Sequence, residues 1–172
     1  MTGFVIHALP VLRGILAIAP MPGSGGEYAA DLEHLKDWQP AMVVTMTTSA
    51  EMVAAGAGNL GQDVAFLGSR WAHVATPDYG VPDADAMHNW DRAEPIALSA
   101  LRGGGRVLIH CKGGCGRSGM AALRLMIAAG DAPDAALARL RALRPGAVET
   151  SAQMRWARRG GAEATDAGGG IR

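Results

Sequence analysis

The sequence predicts an α/β domain with a mostly parallel central sheet flanked by helices. Three observations carry that expectation. Short apolar runs alternate along the chain with segments of helical periodicity, the pattern of a parallel sheet covered by helices. The run at 41–46, Ala-Met-Val-Val-Thr-Met, is apolar or β-branched throughout, as a strand covered on both faces is. A chain of 172 residues, 49% of them hydrophobic, is long enough for one core and short enough for one domain.

The elements follow in order. Apolar runs at 4–8 and 15–19 read as two strands, with Pro10 and Arg13-Gly14 marking the turn between them. A loop rich in Pro and Gly occupies 20–26. Over Tyr28–Trp38, the side chains of Tyr28, Leu32 and Leu35 fall on one helical face. After the strand at 41–46, Thr48 with Glu51 three residues on is a capping box. Asn59 with Gln62 opens a further helix to about Phe66, which Gly68 ends. A strand is expected at 71–75 and a loop with two Pro and three Asp at 76–85. Asp85 is the expected N-cap of a helix at 86–101, stopped by Gly103-Gly104-Gly105. Arg106–His110 reads as a strand and 112–119 as a glycine-dense loop. A helix is expected to begin near Ser118 and to run strongly over 120–129. Asp131 and Pro133 start the next, at 134–143, which Pro145-Gly146 ends. Thr150 with Gln153 is a second capping box, opening a last helix through Arg158. One domain is therefore expected over 1–158, with the Gly/Ala-rich stretch 159–172 as a disordered tail.

Composition excludes several classes. Sixteen basic residues balance sixteen acidic ones, so no broad field is present to drive nucleic-acid binding. A small anion site remains compatible with that neutrality. The two cysteines, Cys111 and Cys115, make no disulfide framework and at most half a zinc site. His7, His34, His73 and His88 have no metal-like spacing, and no bound metal is expected. No apolar run is long enough for a membrane span. No basic residue precedes the apolar start and Pro10 interrupts it, against a signal peptide. A cytoplasmic monomer with reduced thiols is the expectation.

The chemistry lies in His110-Cys111-Lys112-Gly113-Gly114-Cys115-Gly116-Arg117-Ser118. A buried strand delivers Cys111 to the start of a turn. Three glycines among the next five residues let consecutive backbone N–H groups converge. A helix N-terminus then points its dipole at the same spot, which makes an anion cradle of residues 112–117. Lys112 adds local positive charge, and Arg117 adds a planar fork for two phosphate oxygens. The same field favours Cys111 as thiolate, a nucleophile aimed at a bound phosphorus. Ser118 sits where its hydroxyl donates to that sulfur and stabilises it as a leaving group.

This Cys-x5-Arg-Ser loop resembles the signature of the cysteine-dependent protein tyrosine and dual-specificity phosphatases. Its local form is most similar to the branch containing the cyclin-dependent-kinase-associated phosphatase and its bacterial relatives. The resemblance implies the fold of that family and a single phosphatase domain without cofactor or metal. It also implies a general acid, an Asp on a loop about thirty residues before the nucleophile. Thr76-Pro77-Asp78-Tyr79-Gly80-Val81-Pro82-Asp83 lies there, with Asp78 33 residues and Asp83 28 residues ahead of Cys111. The Gly and Pro that follow favour Asp78, with Asp83 as the alternative.

The implied substrate is a phosphorylated protein, carrying phosphotyrosine or also phosphoserine and phosphothreonine, in a shallow pocket. Three other readings stand beside it: a phosphoinositide phosphatase, a rhodanese-like sulfurtransferase, and a phosphate-binding module with lapsed catalysis. Lys112 resembles the first extra lysine of the phosphoinositide group's loop, but Cys115 stands where the second would be. His110 reads as a buried orienter of the loop. Cys115 reads as a packing residue, or as a disulfide partner that switches Cys111 off. Gln153 occupies the place of a water-positioning polar residue in related phosphatases, and is equally the glutamine of its capping box. Arg139, Arg141, Arg144, Arg155, Arg158 and Arg159 make a solvated basic face or a docking surface for an acidic partner.

Overall fold

The structure, a computed structural model, describes residues 3–160. Its elements are β1 (His7–Val11), β2 (Gly14–Ala19), α1 (Tyr28–Trp38), β3 (Met42–Thr45), α2 (Ser49–Ala54) and α3 (Leu60–Phe66). They continue with β4 (Arg70–His73), α4 (Ala84–Arg102), β5 (Arg106–His110), α5 (Gly116–Ala128), α6 (Pro133–Leu143) and α7 (Ser151–Arg158). The strands form one sheet in the order β1-β2-β5-β3-β4. All neighbours are parallel except β1, which pairs antiparallel with β2. The expected mostly parallel sheet is thus what the sequence encodes.

Side-chain alternation along the strands divides the core in two. Val107 and Ile109 of β5 join Leu16, Ile18, Met42 and Val44 under α4, α5, α6 and α7. Leu108 faces the other way with Ala17, Ala19 and Val43, under α1, α2 and α3. β5 is central and covered on both faces, so the loop that follows it starts from a rigid base.

Several boundaries differ from expectation. The first strand lies three residues later and includes Pro10, opposite Ile15. That is tolerated because β1 is an edge strand: the Pro10 carbonyl faces outward and accepts from Arg139, so its missing N–H breaks no ladder bond. The fourth strand is Arg70–His73, not 71–75. The N-cap of α4 is Asp83, not Asp85. The Asp83 backbone is extended and its carboxylate accepts from Ala86 N at 2.9 Å, so the helix begins at Ala84. Asn59 holds the N-cap position of α3 without a side-chain bond. Both capping boxes, Thr48/Glu51 and Thr150/Gln153, form in full. Arg159 and Gly160 follow α7, and Gly160 is buried: a Cβ there would stand 2.8 Å from Arg124 Cγ. Packing therefore continues past 158, and the rest of the expected tail lies outside the described residues. Among the described residues no helix is long and apolar enough to cross a membrane.

Candidate active site

β5 ends at His110, and Cys111 opens the loop, 3% exposed. The loop's shape follows from where its carbonyls go. His110 O accepts from Met46 N (2.9 Å), Lys112 O from Met21 N (3.2 Å), and Cys115 O from Gly119 N (3.0 Å) and Val148 N (3.3 Å). Gly113 O and Gly114 O both accept from the guanidinium of Arg144, at 3.3 Å each. With the carbonyls tied outward, the amides turn inward. Among the described residues no backbone N–H from 112 to 118 is donated to a protein acceptor. Gly114 has φ +69°, and a Cβ there would stand 2.6 Å from Ala19 C and Pro20 N. Only glycine fits.

The helix starts earlier than expected. α5 begins at Gly116, so Arg117 and Ser118 lie in its first turn, where the helix dipole adds to the amide field. Ser118 Oγ is 3.2 Å from Cys111 Sγ.

The guanidinium of Arg117 is 1% exposed and its donors are almost all accounted for. Nη1 donates to Glu51 Oε2 (2.8 Å) and to the carbonyl of Thr76 (2.9 Å), and Nη2 to Glu51 Oε1 (2.8 Å). Nη2 also stands 3.5 Å from Asp78 Oδ1. The Nη1–Nη2 end of the guanidinium is thus closed on Glu51. Nε, buried and without a partner among the described residues, is left for an oxyanion, together with the outer Nη2 hydrogen. The hydrogen bonds from Arg117 are the largest influence on Glu51, and they hold its carboxyl down at about 2 against the effect of burial. Glu51 also accepts from Thr48 N (2.8 Å) and Thr48 Oγ1 (3.0 Å), so one carboxylate caps α2 and fixes the arginine.

The two candidate acids separate. Asp78 lies beside Arg117, half exposed, on a loop held from α7. There Gln153 Nε2 donates to Gly80 O (3.2 Å) and Thr150 Oγ1 to Tyr79 O (3.5 Å). Asp83 is occupied in capping α4. Geometry therefore favours Asp78.

A loop of this build, with a buried cysteine, an arginine in the first helical turn and an aspartate across from it, is matched by a family model. Residues 41–161 fit the protein-tyrosine phosphatase family. The chain belongs to that family. It is 33% identical over 128 residues to the mouse (Mus musculus) cyclin-dependent kinase inhibitor 3, covering 73% of this chain and 59% of that relative. The chain therefore spans less than two thirds of the length of the curated relative it matches. Among solved structures it resembles kinase associated phosphatase with its catalytic-site cysteine replaced by serine. The TM-score there is 0.82 at 23% identity, covering 96% of this chain and 98% of that one. It also resembles Tk-PTP in its active form, with a TM-score of 0.68 and 27% identity, covering 86% of this chain and 91% of that one.

The remaining residues take their places in this member of the protein-tyrosine phosphatase family. His110 is fully buried, and burial pushes it down to about 4, so it stays neutral. Trp71 Nε1 donates to Thr45 Oγ1 (2.8 Å), whose hydroxyl is then free to donate to His110 Nε2 (2.7 Å). That chain of donors fits an orienting role and not acid–base work. Gln153 is buried and serves its capping box as well as the acid loop. Cys115 packs near Pro145 and Gly146, and burial pushes its thiol up. Lys112 lines a groove of about 400 Å³ with Met21, Gly23 and Glu51 beside the cradle. The Arg cluster divides: Arg139 pairs with Asp131 and Arg158 with Asp134. Arg141 and Arg144 instead bind backbone carbonyls. Sequence reasoning assigned Glu51 only to a cap and Arg144 only to a basic face. Their partners lie 66 and about 30 residues away in the chain, and nothing local marks them.

Proposed function

We propose that this protein is a cysteine-dependent phosphomonoester hydrolase, a protein tyrosine or dual-specificity phosphatase working through a phosphocysteine intermediate. One observation carries the reading: Cys111 sits at the base of a loop whose inward amides, from 112 to 118, have no protein acceptor. A phosphoryl group supplies the oxygens they lack.

The chemistry follows in two steps. The Cys111 thiolate forms an S–P bond as the ester P–O bond breaks, and the Asp78 carboxyl protonates the departing oxygen. Water then attacks phosphorus, its proton passes to the Asp78 carboxylate, and the S–P bond breaks. The Ser118 hydroxyl donates to the departing sulfur. Arg117 Nε and the amides hold the equatorial oxygens throughout, pre-aligned by Glu51 and Arg144. Asp78 has no use in sulfur transfer, and its place beside Arg117 sets the rhodanese-like reading behind this one.

The substrate is a phosphorylated protein, and the names of the relatives, a cyclin-dependent kinase inhibitor and a kinase associated phosphatase, favour a phosphorylated protein kinase. The free thiols of Cys111 and Cys115 suit the reducing cytoplasm, where the chain works as a monomer. The test is hydrolysis of an aryl phosphate and of a phosphotyrosine peptide in EDTA. Wild type cleaves both and Cys111→Ser cleaves neither. Full activity in Cys111→Ser overturns the proposal.

A further inference from the structure

The sheet has one open edge on the side away from β1, and it lies in a trench. β4 ends the strand order, and beside it is a groove of about 580 Å³. Trp71 and His73 of β4, Gly61 and Ala65 of α3, and Arg92 and Ile96 of α4 contribute to its lining. A further 410 Å³ adjoins it, sharing Met42, Arg70 and Ile96. Gly61 lets α3 pack directly on the Trp71 ring at one wall of the trench: a Cβ there would come within 2.5 Å of that ring.

The backbone along this edge is unspent. Arg70 N and Val74 N donate inward to β3, at 3.0 and 2.9 Å. By strand alternation, the amides and carbonyls of Trp71 and His73 face outward. His73 O accepts from Asn89 Nδ2 at 3.0 Å. The Trp71 N–H, Trp71 C=O and His73 N–H have no partner among the described residues. Open edges are ordinarily blunted or covered, and this one is left uncapped in a groove that α3 and α4 both help to line.

The charge at the trench is one-sided. Arg70 and Arg92 are exposed, and neither makes an ion pair or side-chain hydrogen bond among the described residues. No Asp or Glu lines either groove. In a chain with zero net charge, that is a local cationic site for an acidic occupant.

We propose that this trench docks an extended acidic segment of the protein substrate, added as a strand on the outer edge of β4. The proposal rests on the protein-phosphatase reading. β4 is two strands from β5, so a docked segment lies about 14 Å to the side of the cradle strand. A linker of about eight Gly/Ser residues, with a root-mean-square span of roughly 16 Å, connects the two sites.

The test joins a phosphotyrosine peptide through such a linker to a heptapeptide of alternating Glu and Val. Its controls are the bare phosphopeptide, a Lys–Val heptapeptide, and a Glu–Val heptapeptide N-methylated at alternate residues. The proposal predicts a KM about tenfold lower for the Glu–Val substrate than for the bare one, with kcat unchanged. The gain disappears with both altered heptapeptides and in the variant Arg70→Ala/Arg92→Ala. That variant keeps wild-type rates on an aryl phosphate. Equal KM for bare and Glu–Val substrates overturns the proposal, as does a gain that survives the double substitution. If aryl phosphate is cleaved but no phosphopeptide is, the protein-substrate reading has failed. Fluorescence anisotropy of the labelled Glu–Val heptapeptide then decides the trench alone: binding lost in the double variant supports it, and no binding to wild type overturns it.

Discussion

Replacing Glu51 by Gln separates the charge of this residue from its shape. The Gln keeps an acceptor for Arg117 and removes the anion that faces a 1% exposed guanidinium. The carboxyl stands at about 2 instead of its ordinary 4.5, chiefly through its hydrogen bonds from Arg117. That displacement corresponds to about 3 kcal/mol of stability at neutral pH. The sign is fixed by the direction. A carboxyl held down in the folded state contributes fully above its unfolded value, and its contribution is lost as pH falls toward about 2. Urea unfolding of wild type and Glu51→Gln is the assay, with m compared to confirm a common two-state reference. The expected gap is about 3 kcal/mol at pH 7, falling to about half of that by pH 3. Activity on an aryl phosphate falls alongside, by roughly 10–100-fold, because Arg117 loses its alignment. A gap of zero at pH 7, or one that stays constant from pH 7 to pH 3, would refute the reasoning.

Four further outcomes follow from the geometry. Asp78→Asn lowers kcat by about 10²–10⁴-fold on a phenyl phosphate and by much less when the leaving group is a nitrated phenol that needs no proton. Asp83→Ala instead leaves kcat unchanged and costs about 1 kcal/mol in thermal or urea unfolding, through the lost cap of α4. Ser118→Ala, which removes the hydroxyl 3.2 Å from Cys111 Sγ, preserves the pre-steady-state burst but slows the steady state, because only the second step expels the thiolate. Gly114→Ala places a Cβ 2.6 Å from backbone atoms of Ala19 and Pro20 and leaves a protein inactive on aryl phosphate, with the loss visible in kcat and in stability together.

Much of this was legible in the residues, for local reasons. Tyr28–Trp38 and Arg106–His110 carry periodicity and bounds that no tertiary contact overrides. The two capping boxes are written within four residues each, and both form. Cys111, Arg117 and Ser118 lie within eight residues, so the loop that joins them could be read as a unit. What resisted reading was non-local or hung on a choice between neighbours. Asp83 and Asp85 are both good caps, and only the extended backbone of Asp83 decides between them. Pro10 reads as part of the turn because the sequence does not say which strand takes the edge. Glu51 has two carboxylate oxygens and two duties, and its second partner lies 66 residues away. Arg144 looked like one charge among six, yet its guanidinium turns two loop carbonyls outward. The Trp71–Thr45–His110 chain exists only because β4, β3 and β5 lie side by side in that order.

In the proposed mechanism phosphorus passes through the sulfur of Cys111. Acid-quenched turnover of an aryl phosphate by Asp78→Asn, followed by mass spectrometry of the peptide bearing Cys111, tests it directly. The mechanism predicts one phosphoryl group on Cys111, absent before substrate is added and absent in Cys111→Ser. A variant that turns over substrate with the phosphoryl group on another residue, or with none on the protein while Cys111→Ser stays active, would contradict it.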